Sequence, residues 1–497
     1  MKNSVHLVTY VDRLSGGGIA DLGKLLSGPL RGLFGGVHLL PFFHPIDGAD
    51  AGFDPIDHTK VDPRLGTWND VAALAAEWQV MADLIVNHIS SRAPQFQDFL
   101  RSGSDSAYRA LFLSAESVFP QGASRTDLEA IYRPRPGIPF TRYSLESGES
   151  RLLWTTFTPE QIDIDVLSSP GTAYLERILG TFAQHHIRSV RLDAVGYAIK
   201  KAGTSCFLLP ETLQFISNLA HRAHELGIEV LVEVHCHYRR QIELARHVPW
   251  VYDFALPPLM LHAFAFRTAK YLREWIGIRP ANAVTVLDTH DGIGILDIGP
   301  ERSGQQLPGL VPAAELDQLV EWIHQNSGGD SRRATGVSAS NLDLYQVNCT
   351  FFDALGRDEL SYLLARAVQF FLPGIPQVYY VGLLAGQNDL ELLAKTGVGR
   401  DINRHFYTAA ELARALERPV VQDLTRLIRL RSSHPAFAGH FQLEPAEDDS
   451  ISLRWRCAQE FAHLQISFAR LQYTLEVSVH GEVERMIFSS ALRVADD

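Results

Sequence analysis

Cysteine is scarce: the chain of 497 residues holds four, too few for a disulfide framework. Cys206, Cys236, Cys349 and Cys457 form no C-x-x-C pair, which excludes a zinc ribbon and a dithiol redox motif and leaves reduced thiols in a cytosolic protein as the simplest reading. Positive charge is the minority. Lys and Arg number 45 against 57 Asp and Glu, a net charge of −12. With no Lys/Arg block either, the chain is a poor ligand for nucleic acid or an anionic membrane. No window approaches the roughly 18 uncharged apolar residues of a membrane span. The start, MKNSVHLVTYVDR, meets Asp12 and Arg13 before an apolar signal segment could form, so no signal peptide is expected and the cytoplasm is the expected location. What the chain does have is 46% hydrophobic and 21% charged residues, which excludes disorder as the main state. At about 150 residues per domain, the length suits roughly three domains or one large barrel with insertions.

Eight short runs rich in Val, Ile and Leu recur along the chain: residues 5–10, 36–43, 80–88, 189–195, 229–235, 249–257, 283–291 and 376–382. They lack clean alternation, as strands buried on both faces should. Between them lie amphipathic stretches such as TAYLERILGTFAQHH and DELSYLLARAVQFFL, and TWNDVAALAAEW opens with Thr67 and Asp70 in capping-box spacing. His185 and His186 close one of these helices, where a cation would complement the dipole. The economical fold is α/β, a (β/α)8 TIM barrel. Two connections are too long for a simple crossover, and from about residue 437 the runs become short and alternating. The expected division is barrel 1–85, an inserted subdomain 86–166, barrel 167–291, a second insertion 292–356, barrel 357–436 and an antiparallel β domain 437–497.

Ionisable residues end several strands: Asp83, Asn87 and His88 on the third, Arg191 and Asp193 on the fourth, Glu233 and His235 on the fifth, Asp288, His290 and Asp291 on the seventh. Burying such charges costs several kcal/mol each unless something compensates. Barrel active sites are built at this strand end. Asp193 and Glu233 on adjacent strands suit the two carboxylates of a retaining glycosidase, which stand about 5–5.5 Å apart. Arg191, two residues before Asp193, shares its strand face and is expected to hold it ionised. Glu233 would keep the proton that a leaving oxygen needs. Two lesser signals carry no such chemistry. SGGG at 15–18 fails as a dinucleotide loop because Asp21 takes the third glycine's place, and His235 and His237 around Cys236 lack a further soft ligand for a metal.

The strand ends DLIVNH, RLDAVGY, EVH and THD, in this order, resemble the four shared regions of glycoside hydrolase family 13, the α-amylase family. The resemblance spans essentially the whole chain. It implies Asp193 as nucleophile, Glu233 as acid/base and Asp291 as transition-state stabiliser. PFFHPIDGADAGFDPIDH, RLDAVGYAIKKAGTSCF, LDTHDGIGILDI and SNLDLYQVNCT narrow the resemblance to members that cleave sucrose with inorganic phosphate, giving α-D-glucose 1-phosphate and fructose with retention. No metal or organic cofactor is implied. By the same resemblance Asp50, His88, Arg191, His290 and Arg400 bind the glucosyl ring, with Phe53 and Tyr197 as an aromatic wall. Tyr132, Arg135, Leu342, Asp343, Tyr345 and Gln346 line the acceptor side, Arg135 facing phosphate through its bidentate fork. Asp343 disfavours an anionic sugar acceptor. It should also not share a site with phosphate, so its loop is expected to move between the two steps. Transglucosylation to other acceptors is expected as well, and the resemblance leaves room for a homodimer. His44 in PFFHP and Cys236–His237 after EVH depart from the commoner pattern. Phosphorylases of glucosylglycerol, glucosylglycerate or sucrose 6-phosphate, a sucrose hydrolase or transglucosidase, and a non-catalytic sugar-binding barrel therefore stay open as alternatives.

Overall fold

A computed structural model describes residues 1–48, 50–133, 137–301, 307–335, 346–479 and 482–489. Eight strands close into a parallel barrel: β1 (His6–Thr9), β2 (Gly36–Leu39), β3 (Gln79–Ile85), β4 (Ser189–Asp193), β5 (Glu229–Val232), β6 (Trp250–Asp253), β7 (Ala283–Thr285) and β8 (Ile375–Tyr379). Each pairs with its sequence neighbours, and β1 pairs with β8 to close the ring. The expected α/β barrel is the fold observed, and each strand falls within or beside its apolar run.

The alternation of side chains sets what faces the barrel axis. On β4 the odd positions, Ser189, Arg191 and Asp193, share one face, while Val190 and Leu192 on the other pack into the main core under the helices. Met81, Leu231, Tyr252, Val284 and Ile375 form a separate apolar cluster, which we read as the plug inside the barrel. Register sets Arg191 beside Asp83 of β3 and Leu231 of β5. The inner face thus changes from apolar to ionic toward the strand C-termini.

Around the barrel the helices follow their caps. α1 (Trp68–Glu77) starts at Thr67, whose backbone N–H donates to Asp70 Oδ2 at 2.8 Å, and buries Val71 and Leu74. α2 (Ser169–Gln184) and α3 (Pro210–Glu225) each carry a proline in the first turn, where no amide partner is lost. α4 (Glu359–Phe371) is buried from Leu360 to its end. Its Arg366 donates to Asp288 at 2.6 Å and its Gln369 to the carbonyls of Thr285 and Gln377, tying this helix to the strand ends that carry the site. One expectation is corrected at the end of α2. His185 does not offer a cation to the helix dipole: it stacks on Trp68 at 4.7 Å, and burial beside His186 lowers its pKa.

The long connections hold small antiparallel pairs: Phe140–Ser144 with Ser150–Trp154, His88–Ser90 with Gln161–Asp163, and Ile293–Gly294 with Gln346–Val347. A five-stranded antiparallel sheet, β9 (His440–Glu444), β10 (Ser450–Cys457), β11 (Glu460–Ser467), β12 (Gln472–Val479) and β13 (Glu482–Ser489), follows the barrel. Trp455 of β10 donates to the Phe371 carbonyl at 2.7 Å and fixes this sheet to α4. Among the described residues, no helix is long and apolar enough to cross a membrane.

His58 gives the fold a pH dependence. It lies buried between Phe43 and Phe182, its Nε2 at 3.0 Å from the Asp83 carbonyl, and burial lowers its pKa to about 4. Below about pH 6.5 the unfolded chain takes up a proton that the native His58 refuses. Stability is therefore expected to fall as pH drops from 6.5 toward 4, by up to about 1.4 kcal/mol per pH unit from this residue. Urea unfolding across that window should show the slope, and H58Q should flatten it by about one proton. An unchanged slope would remove His58 from the account.

Candidate active site

The C-terminal mouth of the barrel holds a pocket of about 970 Å³ including its opening to solvent. Asp193 ends β4 on the inner face, and Glu233 follows β5 directly. One guanidinium joins them: Arg191 Nη1 lies 2.6 Å from Asp83 Oδ1 and 3.0 Å from Asp193 Oδ1, and Nη2 lies 3.5 Å from Glu233 Oε1. Arg191 is itself buried, so its charge acts at low dielectric and is matched by these acids. After Asp193 the backbone turns through Ala194, whose φ of 54° is left-handed. Its N–H reaches toward Glu233 Oε2 at 3.4 Å. A non-glycine residue there costs about 1 kcal/mol or more, and the turn carries the chain directly to Tyr197.

Arg191 does not by itself keep Asp193 ionised in the empty site, which corrects the simpler expectation. Burial, with Glu233, Asp83 and Asp291 close by, outweighs the guanidinium and raises the Asp193 pKa well above the ordinary carboxylate range. Asp291 behaves oppositely. Burial pushes its carboxyl up too, but the guanidiniums of Arg400, Nη1 at 2.9 Å, and Arg404 at 3.8 Å hold it far below that range. Asp50 is 3.6 Å from Arg404 and 3.9 Å from Arg400. Burial lowers the pKa of His88 and takes that of His290 to about 3, so both are neutral rings.

Phe53 stacks on His290 at 4.9 Å and lies under Arg191 Cζ at 5.4 Å, and its carbonyl is 3.0 Å from His88 Nε2. Across the pocket Tyr197 packs with Phe157 at 5.3 Å, Phe207 at 4.7 Å and Tyr132 at 6.3 Å. Gln346 donates to the Gly292 carbonyl at 3.2 Å and accepts from Arg400 at 3.4 Å. The structure thus gathers Asp50, Phe53, His88, Asp193, Tyr197, Glu233, His290, Asp291, Gln346 and Arg400 around one cavity. Arg191 lies beneath it and Tyr132 behind its aromatic wall. Arg135, Leu342, Asp343 and Tyr345 lie outside the described residues.

Reading the sequence missed Arg404, Gln161, Phe157, Phe207 and Asp297. Arg404 had a signal, since it follows Arg400 by four positions in GRDINRH. Glu233, His235 and Asp291 bring one polar atom each within 4.8 Å of one another. The spot does not suit a metal ion, since Arg191 already serves Glu233, and Arg400 and Arg404 serve Asp291, leaving few carboxylate lone pairs to coordinate one. It suits the hydroxyls and the developing positive charge of a sugar ring.

A closed parallel barrel with three carboxylates around a pocket at its C-terminal mouth is the arrangement of an enzyme acting on glycosidic bonds. Residues 33–226 match the α-amylase catalytic domain. A sucrose phosphorylase of Agrobacterium vitis is 59% identical over 478 residues, covering 96% of this chain and 98% of that protein. One of Bifidobacterium adolescentis is 54% identical, covering 92% of this chain and 90% of that protein. A crystal structure of sucrose 6F-phosphate phosphorylase from Thermoanaerobacter thermosaccharolyticum superposes with a TM-score of 0.90 at 37% identity, covering 98% and 99% of the two chains. The chain belongs to the α-amylase family and, within it, to the group of enzymes that contains the sucrose phosphorylases.

Proposed function

We propose that the enzyme cleaves sucrose with inorganic phosphate to α-D-glucose 1-phosphate and fructose, with retention, through a β-glucosyl intermediate on Asp193. The observation that carries this reading is the Arg191 clamp, which joins Asp193 to Glu233 at the end of adjacent strands while Asp291 stays anionic opposite. Both carboxyls lean on one buried guanidinium and Glu233 adds to the burial that disfavours the Asp193 anion, so the pair holds a proton. Sucrose supplies the place for it. Glu233 hands the proton to the glycosidic oxygen, fructose leaves, and Asp193, its anion favoured by Arg191 at 3.0 Å, attacks the anomeric carbon. Asp291 faces the positive charge that develops on the ring. Asp50, His88, His290 and Arg400 hold the glucosyl hydroxyls, with Phe53 and Tyr197 against its carbon faces. Phosphate then attacks the intermediate while Glu233 accepts its proton, so both displacements together retain the configuration.

The acceptor assignments rest on Tyr132 and Gln346 within the described residues and, by resemblance, on Arg135, Leu342, Asp343 and Tyr345, which lie outside them. Other hydroxyl acceptors would be glucosylated in place of phosphate. A cytoplasmic setting fits this chemistry, since glucose 1-phosphate is charged and stays where it is made. The reverse reaction tests the acceptor. From glucose 1-phosphate, fructose should release phosphate faster than glycerol, glycerate or fructose 6-phosphate. A 39% identical glucosylglycerol phosphorylase of Marinobacter adhaerens makes glycerol the sharpest rival, and preference for it would overturn fructose as the partner.

A further inference from the structure

Asp297 lies in a short turn of 3-10 helix (Leu296–Ile298) beyond β7 and is buried. Both its oxygens are committed to the segment after β5. Oδ1 accepts from the Cys236 N–H at 3.1 Å and from Gln241 Nε2 at 2.8 Å, and Oδ2 is 3.1 Å from His235 Nδ1. The His235 ring is sandwiched against Phe254 at 3.8 Å and 13°, so it cannot turn away. Its other nitrogen, Nε2, is buried without a hydrogen-bond partner among the described residues. Both His235 and Asp297 line the pocket.

We propose that Asp297 is a positioning residue for the incoming phosphate: acting through His235, it keeps a positively charged Nε2–H beside Glu233. The proposal rests on the phosphorolytic reading above. A carboxylate at Nδ1 assigns a hydrogen to that nitrogen. One ring nitrogen lies within 4.8 Å of carboxylate oxygens of Glu233 and Asp291, and with Nδ1 given to Asp297, Nε2 would be either a bare lone pair, which these acids repel, or a second N–H, which they welcome. The charges around the ring favour the second state. Asp297 stands on one side, Glu233 on its own strand end and Asp291 beyond β7. Arg240 and Glu301 pair with each other at 2.8 Å beside Cys236, and Asp288 is matched by Arg366 at 2.6 Å. Arg191 and Arg400 are committed to the carboxylates they touch. Although burial opposes it, Asp297 raises the His235 pKa.

Phosphate entering this pocket meets Glu233 and Asp291, while Asp193 is esterified by the glucosyl group at that step. A cationic N–H next to the group that takes its proton offsets that repulsion. Water needs no such partner, so the pair biases the intermediate toward phosphate.

D297N tests this. Asparagine can keep the bonds from Cys236 and Gln241 but turns an N–H toward His235 Nδ1, which leaves the ring neutral. At fixed phosphate we expect about a tenfold rise in KM for phosphate and about a tenfold larger share of free glucose. The alkaline decline of phosphorolysis should move to lower pH, and that of hydrolysis should stay in place. A folded D297N with wild-type partition and pH profile would overturn the proposal. If D297N does not fold, histidine ¹⁵N spectra of the wild-type enzyme decide, with His235 assigned by difference from H235Q. A cationic ring at pH 7 supports the proposal and a neutral one overturns it. These spectra do not depend on turnover. Phosphate-independent activity with a cationic His235 would therefore fault the functional reading and not the ring's charge.

Discussion

D193A will abolish sucrose cleavage, lowering kcat by at least about 10⁴-fold, the scale on which removing a nucleophile acts. The loss should leave the fold intact. Asp193 is at the end of β4 with its carboxylate on the pocket, and Arg191 keeps Asp83 at 2.6 Å and Glu233 at 3.5 Å when it is gone. Burial disfavours the Asp193 charge in the empty site, so its removal should hold Tm or raise it, the usual trade between stability and function. Thermal unfolding beside a phosphate-dependent fructose assay checks both halves. Activity above a few per cent in a folded D193A would put the nucleophile elsewhere.

R191M should damage both stability and chemistry. Arg191 is buried and is shared by Asp83, Asp193 and Glu233. Stranding a buried partner costs about 3–5 kcal/mol, and Asp83 would be left with His38 at 3.1 Å. The expected kcat loss is about 10²–10³-fold, similar to removing one preorganised donor from a charged transition state. A second change separates the two effects. R191M/D83N removes the stranded charge, so it should recover much of the stability and none of the rate. If rate and stability recover together, Arg191 acts by supporting the fold alone.

The barrel could be read from the chain because its signals are local. The eight apolar runs are strands for reasons contained within each run, and Thr67 caps α1 through a residue three positions on. Even Asp21, which spoils the glycine motif, shows its purpose locally: it accepts the Gly18 N–H at 3.1 Å to cap the next helix. The glycosidic site was legible for a related reason. Its acids close strands, and a charge at that position needs a use.

What escaped depends on distant partners. His235 looked like half of a failed metal cluster, because Asp297, its partner 62 residues away, is marked by no pattern. Neighbouring His237 turns out to accept from the Arg239 N–H as a helix cap. Asp288 sits on the same strand end as Asp291 yet serves Arg366, 78 residues on and inside a helix whose apolar period hides it. The ionisation of Asp193 departs from the sequence reading because residue types at strand ends do not show the depth of burial, which with Glu233, Asp83 and Asp291 outweighs Arg191. Phe157 and Phe207 came from loops, where an aromatic residue carries no periodic signal.

The central claim is that phosphate, not water, accepts the glucosyl group. Product analysis on sucrose with and without inorganic phosphate tests it most directly. The account predicts that glucose 1-phosphate appears only when phosphate is present, in step with fructose and with little free glucose. Free glucose equal to fructose, whether or not phosphate is added, would contradict it and make the enzyme a hydrolase.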